Sequence, residues 1–372
     1  MNLMKKCLIA LLCVALMMTG FVFGASAEEE KTLVVSLGAD PTTFNPVMKG
    51  DDDGHLIYQN VFDGLLELNY NSEVIPGLAT SWETSEDGLT YTFHLATDVK
   101  WHDGVDFTSA DVKYTYERIM AENGFIGGTL SATLESIECP DDDTVVLNLK
   151  APDATLLGTL AWYEHFIIPK HIYENEEDWA TCEAATSKPI GTGPFKFADY
   201  QTGVSITLEK NEDYFKGAPK IDKLIYMIVP DDTTAVQAFY NGEIDILTDV
   251  PTSEVLNMQN DPEIKLGCMS AARRYQLICN MENETMSKWE VRKAVALALD
   301  REEISLKATS GLQAPAYGFY PPFLDWAYNA DADIGERDVE QAMALLEQAG
   351  YTKNADGYYL TLTLDVFTGG TY

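Results

Sequence analysis

Two hydrophobic periods interleave along this chain, and a sequence that alternates them folds as a mixed α/β protein. Over 90–95, Tyr91, Phe93 and Leu95 alternate with Thr90, Thr92 and His94, the period of a half-buried strand. The same signature predicts strands at 144–150, 204–209 and 358–366, the last with Leu360, Leu362 and Leu364 alternating with Thr361 and Thr363. Helical spacing lies between them. Thr108 and Asp111 form a capping box ahead of Val112, Tyr116, Ile119 and Met120, which share one face. Val291, Val295, Ala298 and Leu299 predict a second helix, and Asp300 with Glu303 caps a third. A fourth runs over 337–349, apolar at Val339, Ala342, Met343 and Leu346, with Gly350 as its C′ residue. At 372 residues, 46% of them hydrophobic, the chain has apolar material for two or three domain cores. A strand pattern that only begins at 358–366 normally needs further elements to pair with, so the chain is expected to be truncated at its C-terminal side.

The first 27 residues follow other rules. Lys5 and Lys6 precede an apolar run from Cys7 to Phe23, and Ala25, Ser26 and Ala27 supply the small residues of a signal-peptidase site. Residues 1–27 are therefore expected to be a cleaved secretory signal. No later stretch is apolar enough to span a bilayer, so the mature protein is expected to be soluble and exported, in the periplasm or at the extracellular face of the membrane. Charge narrows the partners. With 59 acidic against 25 basic residues the formal charge is −34, which excludes the basic footprint of a nucleic-acid binder and disfavours an anionic membrane surface. Cys139, Cys182, Cys268 and Cys279 follow the leader. They are too few for a disulfide scaffold, their pairing is open, and with no CxxC pair a zinc site is unsupported.

Catalytic patterns are missing. The five histidines, His55, His94, His102, His165 and His171, belong to no HExxH, and no GxSxG is present. His165 and His171 flank an apolar run and are expected to be packed or surface residues rather than a metal pair. Gly191-Thr192-Gly193-Pro194 lacks the Lys and Ser or Thr of a phosphate loop and reads as a turn entering a strand. The acidic runs Asp51 to Asp53 and Asp141 to Asp143 lack EF-hand spacing and read as solvated turns. Neither a metal nor a cofactor is expected. Aromatic residues say more. Core packing accounts for most of them, but Tyr317, Phe319, Tyr320 and Phe323 sit among Pro315, Gly318, Pro321 and Pro322 in a loop, where large rigid side chains suit a ligand cleft.

Several ordered blocks carry a resemblance. Phe44-Asn45-Pro46, YQNVFDGLL at 58–66, IPGLATSW at 75–82 and GLTYTFHLATDVKWHDGVDFTSADVKYTY at 88–116 come first. They are followed by IGTGPF at 190–195, YNGEIDI at 240–246 and VRKAVALALDREEI at 291–304. Together they resemble the solute-binding proteins of the peptide and nickel family (family 5), the extracytoplasmic receptors of ATP-binding-cassette importers.

The resemblance implies a two-lobed α/β clamp of the type II periplasmic-binding-protein kind, with an inserted extra domain and hinge strands between the lobes. On that pattern residues 28–70 and 188–270 form lobe I, 71–187 the insert, and 271–372 an incomplete lobe III. The part of the fold beyond residue 372 is expected to be missing, and with it the aspartate that meets a peptide amino terminus in the family. The loop Ala316 to Pro322 is similar to that of the oligopeptide-binding branch, which implies short peptides as ligand, a membrane permease as partner, and a monomer when complete. Other solutes of the family, namely nickel chelate, haem, oligosaccharide or opine, stay open, and an exported hydrolase is the rival class. Implied ligand contacts are Gly50, Asp51 and Asp52 after the opening motif, Thr248 and Asp249 after the GEIDI strand, Tyr275, Gln276 and Asn280 on the hinge strand, and Tyr317. For each, a purely structural role competes.

Overall fold

The computed structural model describes residues 30–48, 51–122, 124–267, 275–324 and 327–366. Its elements begin with β1 (Thr32–Leu37), α1 (Asp52–Val61), β2 (Leu66–Leu68), β3 (Val74–Pro76), β4 (Ala79–Thr84) and β5 (Thr90–Leu95). Then come α2 (Ser109–Glu122), α3 (Gly124–Thr133), β6 (Leu134–Asp141), β7 (Thr144–Leu149) and α4 (Leu156–Leu160). After three short turns of helix, β8 (Phe195–Gln201), β9 (Ser205–Lys210), β10 (Lys223–Ile228) and α5 (Asp232–Tyr240) complete the first of two compact units, which ends at Asp249. The second unit contains α6 (Thr252–Gln259), α7 (Trp289–Ala298), α8 (Arg301–Thr309) and α9 (Val339–Gln348).

The first unit is built on two four-stranded sheets. One has the order β1-β10-β9-β8, with β1 parallel to β10 in the register Thr32↔Lys223 to Leu37↔Ile228. Residues near the start of the chain thus share a sheet with residues about 190 positions later. The other, β4-β5-β7-β6, is antiparallel and drawn wholly from residues 79–149. Here the alternation works as expected: Tyr91 pairs with Leu147 and Phe93 with Val145, all four buried on one face. Half of the expected capping box forms: Thr108 N donates to Asp111 Oδ2 at 2.9 Å, while Asp111 N donates to the Thr108 carbonyl rather than its hydroxyl, and Val112, Tyr116 and Ile119 of α2 are buried beneath the helix. One continuous apolar cluster runs from Val35 to Ile228 and includes Phe44, Tyr58, Phe93 and Trp101.

In the second unit α7 packs on α9 through Ala294, Leu297 and Ala342. Asp300 accepts from Glu303 N at 2.9 Å to cap α8, and Asp338 accepts from Gln341 N at 2.8 Å to cap α9. Gly350, at φ +89°, takes the left-handed C′ position after α9. Two expectations fail here. Residues 358–366 are irregular rather than a strand, with Leu362 and Leu364 exposed. An alternating pattern becomes a strand only beside a hydrogen-bonding neighbour, and among the described residues none pairs with this segment. The chain instead folds locally: Asn354 Oδ1 accepts from Tyr358 N at 2.8 Å, and Tyr359 donates to Glu347 at 2.7 Å. For the same reason 275–280, expected as a hinge strand, is irregular and mostly exposed.

Candidate functional site

In a parallel arrangement the carboxyl ends of strands come to one rim, and backbone and helix termini gather there. β1 has such neighbours on both sides: β10 on one, and on the other the chain at Ile246, whose carbonyl accepts from Ser36 N at 2.9 Å. The segment after Ile246 continues the contact. Thr248 N donates to Ser36 Oγ at 2.9 Å, and Thr248 Oγ1 donates to Ser36 O at 3.2 Å. Immediately beyond β1, Gly38 N donates to Asp53 Oδ1 at 3.2 Å and Thr42 N to Asp51 Oδ2 at 2.7 Å. Asp51 uses its other oxygen as the N-cap of α1, accepting from Gly54 N at 2.7 Å.

The rim is consequently negative and tightly stitched. Burial raises the Asp53 pKa above the ordinary carboxylate value; the Gly38 and Ala39 amides oppose this, and the like charges of Asp51 and Asp249 add to it. Asp52 and Asp249 are exposed. The exposed carboxylates of Asp52 and Asp249 suit a cationic group or hydrogen-bond donors on a ligand rather than an anion.

Four of the residues implied by the resemblance, Asp51, Asp52, Thr248 and Asp249, therefore meet at one place in the first unit. Gly50 lies outside the described residues. In the second unit Tyr275, Gln276 and Asn280 lie along exposed irregular chain, Asn280 Oδ1 accepting from Glu282 N at 2.9 Å. Tyr317 donates to Glu302 Oε1 at 3.0 Å and has the Arg301 guanidinium 5.8 Å from its ring centre. Phe319 and Tyr320 beside it are exposed and meet edge to face at 4.9 Å.

Sequence reading missed α1, and with it Asp53 and Ser36. The signal was present: Asp51, followed by two more acids and then Ile57, Tyr58 and Val61 on one face, is a helix start rather than a solvated turn. The two histidines that flank 166–170 are packed and paired, respectively. His165 is buried, and His171 pairs with Asp103 at 2.8 Å. Among the described residues no group of three or more His, Cys, Asp or Glu is placed to hold a metal. Cys139, Cys182 and Cys279 are free thiols, Cys268 lies outside the described residues, and no described helix is long and apolar enough to cross a membrane.

Comparison with known proteins matches residues 73–371 to the model for "Bacterial extracellular solute-binding proteins, family 5 Middle". Among curated relatives, heme-binding protein A of Haemophilus influenzae is 30% identical over 347 residues, 88% of this chain and 63% of its own length. The dipeptide-binding protein of Escherichia coli is 30% identical over 349 residues, again 88% of this chain and 65% of its own length. The chain thus spans somewhat under two thirds of the length of these relatives. Among solved structures, the periplasmic binding protein DppA of Helicobacter pylori in complex with the peptide STSA superposes with a TM-score of 0.74 at 29% identity, covering 88% of this chain and 68% of that one. Such neighbours are type II periplasmic binding proteins, in agreement with the mixed α/β fold read from the sequence. The chain belongs to the bacterial extracellular solute-binding proteins of family 5.

Proposed function

We propose that the protein is a receptor that captures short peptides outside the cytoplasm and delivers them to the membrane permease of an ATP-binding-cassette importer, acting as a monomer and without catalysis. The observation that carries this reading is the match over 88% of the chain to a peptide-holding structure. The rim adds chemical support: a peptide brings a cationic amino terminus and backbone N–H donors to exposed Asp52 and Asp249. Haem is the competing ligand, favoured by the resemblance to a heme-binding protein at the same 30% identity. Its two propionates make it a poor partner for this acidic rim and a chain of net charge −34. The lobe boundaries belong to the same proposal, with 28–70 and 188–270 as one lobe, 71–187 as the insert and lobe III from 271. It is supported by β1 sharing a sheet with β8, β9 and β10 while β4 to β7 form another.

Calorimetry of the full-length protein against a panel of short peptides and against hemin tests the reading. Peptide binding with Kd on the order of 1 μM, about −8 kcal/mol, is expected. A hemin absorbance shift with no peptide heat would replace it with the haem reading, and release of cleaved peptide in repeated turnovers would replace it with a hydrolase.

Tyr275 and Gln276 are part of the proposal, as an aromatic contact and a hydrogen-bonding group for the peptide main chain. Replacing both by Ala is expected to weaken peptide binding by about 1 to 3 kcal/mol with the fold intact. Equal affinity of the double variant and the wild type would remove them from the site.

A further inference from the structure

The far end of α1 is held by a junction that no spacing in the sequence announces. Gly191 and Gly193 press against it: a Cβ added to Gly191 would lie 1.8 Å from the Val61 carbonyl oxygen, and Gly193 N donates to that oxygen at 2.9 Å. On its other side the loop is gripped by His102. The His102 backbone N–H donates to Gly191 O at 2.8 Å, its Nδ1 accepts from Gly191 N at 3.3 Å, and its Nε2 lies 3.0 Å from Gly193 O.

These partners fix the ring's state. An amide N–H facing Nδ1 requires a lone pair there, and a carbonyl facing Nε2 requires a hydrogen, so the clasp is made by neutral imidazole protonated on Nε2. Burial holds the pKa down to about 4, with the Gly193 carbonyl and Asp103 raising it and Lys196 lowering it, so the ring is neutral near pH 7. Asn211 Nδ2 also donates to Gly193 O at 3.0 Å, and Thr192 Oγ1 to Asp63 Oδ2 at 2.7 Å, so the loop has little freedom once His102 is seated.

We propose that His102 is a positioning residue for the acidic rim: it seats the Gly191–Gly193 loop, the loop seats Val61, and α1 carries that placement to Asp51, Asp52 and Asp53 at its other end. The transmission is mechanical. α1 has 10 residues, a rod of about 15 Å at 1.5 Å per residue, too short to bend without losing its own hydrogen bonds. Its amino end is already tied to the β1 loop through Gly38 and Thr42, so a displaced carboxyl end strains those ties. The effect on ligand rests on the peptide-receptor reading; the effect on the rim does not.

The test uses the full-length protein with His102→Ala, His102→Gln and His102→Asn, each studied well below its melting temperature at pH 7. Residue-resolved hydrogen exchange reads Gly54 N, bonded to Asp51 Oδ1, and His55 N, bonded to Asp51 O. Calorimetry reads affinity for whichever peptide binds the wild type. His102→Ala is expected to speed exchange at these two amides about tenfold and to weaken the peptide by about tenfold. Glutamine, whose amide N–H reaches toward Gly193 O, restores both more fully than asparagine, which supplies only the acceptor for Gly191 N. A folded His102→Ala with wild-type exchange at 54 and 55 overturns the proposal, even if its melting temperature falls. If that variant does not fold, equal exchange at these amides in the glutamine and asparagine variants overturns it. Should the wild type bind no peptide at all, the receptor reading fails while the exchange comparison still decides the role of His102.

Discussion

Asp63→Ala is expected to cost the first unit about 3 to 5 kcal/mol, chiefly from two hydroxyl partners left unsatisfied at about 1 to 3 kcal/mol each. At roughly 2 to 4 °C per kcal/mol for a unit of this size, the melting temperature should fall by about 6 to 20 °C. Asp63 is 3% exposed and joins three stretches of chain. Its Oδ2 accepts from Thr192 at 2.7 Å, its Oδ1 accepts from the Tyr214 hydroxyl at 2.8 Å, and Lys216 Nζ lies 3.9 Å away while also pairing with Glu67. Truncation leaves the Thr192 and Tyr214 hydroxyls without their acceptor, while the exposed Lys216 keeps Glu67. Asp63→Asn keeps the shape and an acceptor, so it should lose less. The pH dependence has a definite sign. Burial raises the Asp63 pKa, against the pull of Thr192, Lys216 and Tyr214. A carboxyl that holds its proton more tightly when folded contributes most below its unfolded pKa, ordinarily about 3.9, and loses that contribution as pH rises through the folded value. The melting temperature of wild type minus that of Asp63→Asn should therefore be larger near the unfolded pKa than at neutrality. The opposite trend in calorimetric scans would mean that the hydrogen bonds outweigh burial.

What could be read from the sequence was whatever depends on near neighbours. The caps at Asp111, Asp300 and the Gly350 stop act within a few residues, and each forms as its local pattern requires. Strands β5 and β7 were legible because both carry the alternation and lie beside each other. The stretch at 358–366 carries the same alternation and forms no strand, since period alone does not supply a partner. The site divides along the same line. Asp51, Asp52, Thr248 and Asp249 came from resemblance, and only the pairing of β1 with residues around 246 explains why positions two hundred apart meet. Asp51 illustrates how two readings of one residue coexist: both of its oxygens are taken by backbone amides, so its place at the rim is that of a frame for Asp52 and Asp53. The clasp of His102 on Gly191 and Gly193 was illegible. Hydrogen bonds between loops 90 residues apart leave no periodicity, and the two glycines look like an ordinary turn until the Val61 carbonyl is seen against them.

Gly191→Ala is expected to destabilise the first unit by about 3 kcal/mol or more, above the usual range for overpacking because nothing nearby can rotate aside. The new methyl would sit 1.8 Å from Val61 O and 2.6 Å from Val61 C, both backbone, and 3.1 Å from the Phe62 ring. Relief requires the loop and α1 to separate, which breaks the bond from Gly193 N to Val61 O and strains those to His102 and from Thr192 to Asp63. Each lost bond adds about 0.5 to 1.5 kcal/mol. Gly158→Ala provides the contrast: the residue lies in α4 with no heavy atom within 4 Å of an added Cβ, so alanine should stabilise by about 0.5 to 1 kcal/mol through a less flexible unfolded chain. A steric cause for the first effect predicts opposite signs for the two variants in urea melts; equal small losses would show that the α1 junction yields. The steric cause also predicts coupling. Once Gly191→Ala has pulled Thr192 from Asp63, adding Asp63→Ala removes fewer interactions, so the double variant should be less destabilised than the two single costs combined by at least about 0.5 kcal/mol. Strict additivity would mean that the loop holds Thr192 in place despite the clash.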